Sequence, residues 1–159
     1  MSVYLVRHAK AGERAGWDGP DDLRPLSKRG HGQADALAML LEPLSIDRVV
    51  SSRSVRCRET VEPIAKARRL PVDLADELAE GAARTDSVRL VAKVAHEDTV
   101  LCTHGDVLGE LLAHWRATGV ALDGGGHDGH LPLKKAGTWV LTVEASDVVA
   151  GRYLPPPAS

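Results

Sequence analysis

Apolar positions along the chain fall into short runs of two kinds. Val3 to Arg7 is a β-rich run at the start, followed by a polar, Gly-containing stretch from His8 to Pro25. Residues 27–42 change period: Ala34, Leu37, Ala38 and Leu41 recur at i, i+3, i+4 and i+7, which predicts a helix that Ser27 can cap and Pro43 stops. Ile46 to Ser51 reads as a second strand. Residues 53–68 read as a helix with Val61, Ile64 and Ala65 on one face, kinked or divided at Pro63. Leu70-Pro71-Val72 is a turn leading into a short edge strand. Residues 86–95 repeat the helical spacing through Val88, Val91, Ala92 and Ala95, with Thr85 or Asp86 as the cap. Thr99 to Thr103 has the composition of a buried strand, and His104-Gly105-Asp106 reads as the turn after it. A helix over 107–118 then carries Val107, Leu108, Leu111, Leu112 and Trp115 inward. Gly119 to Leu133 reads as a Gly-rich loop, and Thr138–Val143 and Val148–Tyr153 as strands paired around Ala145-Ser146-Asp147.

Strands that alternate with helices predict an α/β fold. The expected form is a three-layer α/β/α domain over residues 1–154, with a mainly parallel central sheet and an antiparallel edge strand. Residues 155–159 are expected to form a frayed tail. No internal repeat interrupts this order.

Composition narrows the class. At 159 residues, 43% hydrophobic and 26% charged, the chain can bury a full core without disulfides or metals. Its 20 basic and 22 acidic residues leave a net charge of −2, which argues against broad nucleic-acid binding. Cys57 and Cys102 form no CxxC pair and read as reduced, buried thiols. The N-terminus carries no basic segment before its apolar stretch. The longest wholly apolar run, Ala36 to Leu41, is far short of the ~20 residues of a membrane span. A cytoplasmic protein without membrane contact is expected, and the lack of an extra interface element predicts a monomer.

Open α/β sheets bind ligands beyond the C-terminal ends of their strands. Here those ends carry Arg7-His8, Ser51-Ser52 with Arg53, Arg56 and Arg58 just beyond, and His104-Gly105. Guanidinium forks match the oxygens of a phosphoryl group. A neutral imidazole is a competent nucleophile toward phosphorus, and neighbouring arginines disfavour its protonation. A second imidazole can donate to the transferring group. Gly105 permits close backbone approach at a helix N-terminus. The arginines supply a cationic clamp, so neither a metal nor another cofactor is implied. His127 and His130 invite a metal reading, but a flexible Gly-rich loop is a poor scaffold for one, and a mobile flap or a solvated loop suits it better. His31, His96 and His114 read as surface residues. Trp115 and Trp139 read as core, while Trp17 in the first loop is placed to border a pocket.

Val6-Arg7-His8-Ala9 resembles the RHG/RHA signature of the histidine phosphatase (phosphoglycerate mutase-like) superfamily. Ser51-Ser52 followed by Arg56, Arg58 and Thr60 resembles its second motif, and Thr103-His104-Gly105 its second-histidine motif. Pro25-Leu26-Ser27 to Ala34 resembles the family's approach to its first helix. Short length and the RHA variant resemble the SixA-like phosphohistidine phosphatase branch. The chain also looks like the phosphatase domain that follows a Nudix domain in some actinobacterial proteins, although these 159 residues contain no Nudix domain.

The resemblance implies that His8 is the phosphorylated nucleophile and that Arg7, Arg56 and His104 hold the phosphoryl oxygens, with Gly105 beside them. Arg53 and Arg58 would be structural or outer-rim. For the general acid it offers Glu77 and Glu80, and Glu80-Gly81 is the better match. The implied partner is a phosphorylated small molecule or a phosphohistidine-bearing protein. A mutase would need additional segments that the sequence does not show. A non-catalytic phosphate-binding module would dispense with the nucleophile, which this chain retains.

Overall fold

The computed structural model describes residues 1–158; the last residue of the expected tail, Ser159, lies outside them. Strands and helices follow in the order β1 (Ser2–Arg7), α1 (Lys28–Leu41), β2 (Arg48–Ser51), α2 (Val55–Ala67), β3 (Val72–Leu74), α3 (Arg84–Val94), β4 (Thr99–Thr103), α4 (Gly105–Ala117), β5 (Ala121–Asp123), β6 (Thr138–Glu144) and β7 (Asp147–Leu154). The strands form one sheet in the order β3-β2-β4-β1-β6-β7-β5. β3, β2, β4 and β1 run parallel. β6 is antiparallel to both β1 and β7, so both antiparallel pairings involve this strand of the C-terminal hairpin.

Alternation along β1 explains the three layers. Val3 and Leu5 join a core cluster with Leu90, Val91, Leu108 and Leu111 of α3 and α4. Tyr4 and Val6 join the opposite cluster with Leu37, Leu41, Val61 and Ile64 of α1 and α2. A strand period of two thus sends neighbouring residues to helices on opposite faces of the sheet. Trp115 and Trp139 are core residues, and among the described residues no helix is long and apolar enough to cross a membrane.

Four local features depart from the sequence pattern. Pro63 does not divide its segment: α2 is one helix from Val55 to Ala67. An internal proline costs a helix about 3 kcal/mol. Burial of Val61 and Ile64, one on each side of Pro63, returns about 1.5–3 kcal/mol apiece and outweighs it. α3 begins at Arg84 with Ala83, not Thr85 or Asp86, at its cap. The expected turn at His104–Asp106 is instead the cap and first turn of α4. Within the stretch read as a Gly-rich loop, Ala121–Asp123 pairs with β7 as the rim strand β5. Three residues carry too little periodicity to show this; the pairing exists only once β7 is in place.

Candidate active site

The register of the parallel strands builds the site. Arg7 at the end of β1 lies opposite Thr103 of β4, and Ser51 of β2 lies opposite Cys102. Arg7-His8, Ser52 and His104-Gly105 therefore leave the sheet side by side. A cleft of about 310 Å³ sits over these ends, lined by Arg7, His8, Arg56, Glu80, His104 and Gly105 among others. All six site residues named from the sequence thus border one cavity. Glu77 does not; it borders a separate cleft beside Arg48 and Arg53. His127 and His130 lie outside the cavity lining, and no group of three metal-ligating side chains occurs among the described residues.

His8 is buried, and its Nδ1 lies 2.8 Å from the carbonyl oxygen of Ala9. A carbonyl only accepts, so Nδ1 carries the proton and Nε2 keeps its lone pair. Burial, followed by His104, Arg56 and Arg7, pushes the His8 pKa down to about 3, against the upward pull of the Ala9 bond. The ring is therefore neutral at physiological pH. The backbone beyond it is fixed by Thr60, whose Oγ1 accepts from the Ala9 amide at 2.9 Å and donates to the Arg56 carbonyl at 2.7 Å.

The His104 ring meets that of His8 edge-on, with centroids 5.4 Å apart. Its Nε2 faces the Ser52 hydroxyl at 3.0 Å, with Ser54 Oγ and Cys57 Sγ further out at 3.4 and 3.5 Å. Ser52 Oγ also accepts from the Ser54 amide at 3.4 Å. His104 Nδ1 is buried without a partner, as are Arg7 Nε and Arg56 Nε. The two arginine Nε–H groups can only donate; an unpaired buried donor costs about 1–3 kcal/mol, and two of them on residues around one cavity fit an acceptor-rich anion.

Each arginine is held by a different device. Arg7 donates through Nη1 to the Leu133 carbonyl at 2.7 Å. Arg56 donates to the Asp21 carbonyl at 2.7 Å, to Asp21 Oδ2 at 3.0 Å and to Glu80 Oε2 at 3.2 Å. Glu80 is positioned through its neighbour: the Gly81 amide donates to Asp106 Oδ2 at 2.7 Å, and Gly81 adopts φ +81° to present it. Arg53 bonds Asp76, and Arg58 bonds the Arg53 carbonyl, both on the exposed side and away from the cleft.

The sequence pattern did not single out Asp21, Arg14, Arg24, Lys135 or Asp106. Arg14, Arg24, Lys135 and Asp106 line the cavity, and Asp21 ties Arg56 to Arg24. Burial draws Asp21 upward, but Arg24, Arg56 and Arg14 outweigh it and hold the carboxyl below its ordinary range. Burial and then Arg7, Arg24, Lys10 and Arg14 pull the Lys135 ammonium down, so its surroundings are strongly cationic. The signal available in the sequence was the polar stretch from His8 to Pro25, which directly follows a strand and carries Lys10, Arg14 and Arg24.

The ends of the parallel strands and the first turn of α2 thus bring two histidines and two arginines to one cleft of an α/β fold, a donor set that suits a phosphoryl group. Residues 3–84, which contain Arg7, His8, Arg56 and Glu80, match the family model of the histidine phosphatase superfamily (branch 1), and the chain belongs to that family. It is 32% identical over 162 residues to an 8-oxo-(d)GTP phosphatase from Mycolicibacterium smegmatis, a match that covers 98% of this chain and 48% of that protein. It is also 32% identical over 99 residues to an adenosylcobalamin/alpha-ribazole phosphatase from Salmonella typhimurium, covering 62% of this chain and 49% of that one. The chain thus spans about half the length of the curated relatives it matches. Among solved structures, the protein histidine phosphatase SixA in complex with tungstate superposes with a TM-score of 0.75 at 19% identity, over 99% of this chain and 97% of that one. A mycobacterial glucosyl-3-phosphoglycerate phosphatase does so with a TM-score of 0.67 at 18% identity, over 99% of both chains. At these identities the structures share the fold.

Proposed function

We propose that the chain is a phosphatase that hydrolyses phosphomonoesters, or phosphohistidine on a protein, through a covalent phosphohistidine at His8. One observation carries this reading: the neutral ring of His8 keeps a free Nε2 at a cleft where Arg7 and Arg56 each retain an unpaired buried N–H and His104 an unpaired ring nitrogen. In the first step Nε2 attacks phosphorus in line, the N–P bond forms, and the bond to the leaving oxygen breaks. Arg7, Arg56 and His104 take up the charge on the non-bridging oxygens. The N-terminal end of α4 at Gly105 adds an oriented positive dipole. Glu80 passes a proton to a departing alkoxide. In a phosphohistidine substrate the bond that breaks is to nitrogen, and a ring protonated on its other nitrogen leaves as a neutral imidazole and asks less of Glu80. In the second step water yields its proton to Glu80 and attacks phosphorus, releasing phosphate and restoring His8. The arginines supply the positive charge on the phosphoryl group, so turnover is expected without added metal.

The reading is tested with His8→Ala. Turnover of p-nitrophenyl phosphate and of a phosphohistidine protein is expected to vanish, and the acid-labile phosphoenzyme trapped from the wild type to disappear with it. Undiminished turnover in the variant would remove His8 as the nucleophile. The SixA and ester-phosphatase likenesses support the reaction class and leave two substrate classes, which a panel run with and without chelator separates.

A further inference from the structure

A second cleft of about 350 Å³ adjoins the first and is bounded by Arg14, Trp17, Gly19, Asp21 and Glu80. Arg14 and Glu80 belong to the walls of both, so one molecule can occupy the two together. Trp17 is the exposed tryptophan of the three: it keeps 37% of its surface in solvent, against 5% for Trp115 and 0% for Trp139. An indole is among the costliest side chains to leave in water, and this one is nonetheless fixed. Its Nε1 donates to the Pro20 carbonyl at 2.8 Å, and its amide donates to the Arg14 carbonyl at 3.2 Å, closing a turn from Arg14 to Trp17. Gly19 packs against the ring so closely that a Cβ there would lie 3.1 Å from Cζ2. Arg14, beside it, is largely exposed, and its ion-pair contact with Asp21 is a loose 3.6 Å. A pre-ordered aromatic surface and a weakly engaged guanidinium therefore stand next to the catalytic cleft.

We propose that this second cleft holds the leaving group, as a flat aromatic ring stacked on Trp17 with the Arg14 guanidinium alongside. The substrates it selects are phosphate esters that carry a nucleobase-sized ring about one sugar away from the phosphoryl group. The inference rests on the proposed phosphoryl transfer to His8. With phosphorus at His8 and the ring at Trp17, the scissile oxygen falls at the boundary between the clefts, where Glu80 stands. The linker follows from the same walls. Trp17 lines only the second cleft and His8 only the first, so a substrate that occupies both carries a linker between phosphorus and ring. The bonds that fix Trp17 spare the cost of ordering the indole when a ring stacks on it.

The test compares adenosine 5′-monophosphate with ribose 5-phosphate, which has the same ester and no base. In a His8→Asn background, where turnover does not intrude, the nucleotide is expected to quench the exposed indole and ribose 5-phosphate is not. Trp17→Leu should abolish the quench. On the catalytically intact chain, Trp17→Leu is expected to lower the ratio of kcat/KM for the nucleotide over ribose 5-phosphate about tenfold, chiefly through KM. No preference for the nucleotide, an equal loss on both esters, or a loss confined to protein phosphohistidine would overturn the proposal. The two readings fail separately. A trapped phospho-His8 with an unaltered ratio in Trp17→Leu sinks the ring site alone, whereas absence of any phosphoenzyme sinks the nucleophile and leaves the quenching experiment to decide the ring site.

Discussion

The guanidinium of Arg7 occupies the space that a side chain at position 105 would need. A Cβ on Gly105 would lie 2.9 Å from Arg7 Cζ and 3.0 Å from Nη2. The glycine of the second-histidine motif thus acts through packing, because it lets the first turn of α4 close onto an arginine from β1. Gly105→Ala must displace the guanidinium, since the backbone of α4 is held by its own bonds. Loss of one well-placed donor to a transferring group typically costs about 10²–10³ in kcat. A partial displacement is therefore expected to lower kcat/KM for p-nitrophenyl phosphate by at least about tenfold, with the helix intact by circular dichroism. Wild-type rates in the variant would show that Arg7 has room to spare.

The low pKa of His8 has consequences for both stability and rate. Burial, then His104, Arg56 and Arg7, set it to about 3 in the folded chain, whereas the unfolded imidazole takes up its proton near the ordinary 6.5. The unfolded state therefore binds more protons between those values, and stability rises with pH there. The contribution is complete above pH 6.5 and is lost as pH falls toward 3, at about 1.4 kcal/mol per unit. Urea unfolding at pH 7, 6 and 5 is expected to show this slope in the wild type and a flatter one in His8→Asn. In single-turnover experiments, phosphoenzyme formation should stay level from pH 7 to 5 once substrate ionisation is corrected. A rate that halves near pH 6.5 would place the His8 pKa at its ordinary value.

The parts of the site that the sequence pattern revealed share a property. Arg7 ends a strand, His8 and His104 directly follow strands, and Gly105 and Arg56 sit in the first turns of helices, so local periodicity and the parallel-sheet rule bring them together. Asp21, Arg14 and Arg24 lie on the long loop after β1, whose path depends on contacts distant in sequence. Ser27 donates its amide to the Lys10 carbonyl at 3.0 Å, and a Cβ on Gly30 would lie 2.0 Å from that same oxygen. Only with α1 packed against this loop do Arg24 and Asp21 face Arg56. Lys135 depends on a turn in which Ala136, fully buried at φ 64°, donates its amide to the Arg7 carbonyl. Alanine rarely adopts that conformation, so no local rule could have anticipated it. The resemblance already preferred Glu80 over Glu77; what three dimensions add is its place on the cleft wall and the bond from Gly81 to α4 beside it.

That bond makes Asp106 a positioning residue for Glu80. Its Oδ2 accepts from the Gly81 amide on the exposed side of the molecule, so removing it leaves a donor that water can satisfy. Asp106→Ala is expected to leave the melting temperature nearly unchanged. If Glu80 delivers the proton to the leaving oxygen, a loosened Glu80 should slow alkyl phosphate esters by up to about a hundredfold, the lower end of what general acids contribute. Phosphohistidine, with its better leaving group, should be spared. Asp106→Asn keeps an acceptor oxygen and should restore most of the ester rate. Equal slowing of both substrates would mean that Asp106 serves the phosphoryl group itself.

Thr60 couples the nucleophile to the phosphoryl clamp in a different way. Its hydroxyl joins the Ala9 amide to the Arg56 carbonyl, and all three groups are buried. Thr60→Val keeps the shape and removes the bridge, so the Ala9 amide loses its partner inside the protein. The cost should be about 1–3 kcal/mol, the penalty for an unsatisfied buried donor. Ala9 also supplies the carbonyl that fixes the proton on His8 Nδ1. A shift of Ala9 therefore loosens the tautomer that leaves Nε2 free, and kcat is expected to fall more than KM rises. Thermal unfolding reads the first effect, and phosphoenzyme formation in a single turnover reads the second. A destabilised Thr60→Val that retains the wild-type rate of phosphoenzyme formation would confine the hydroxyl to holding α2 against β1.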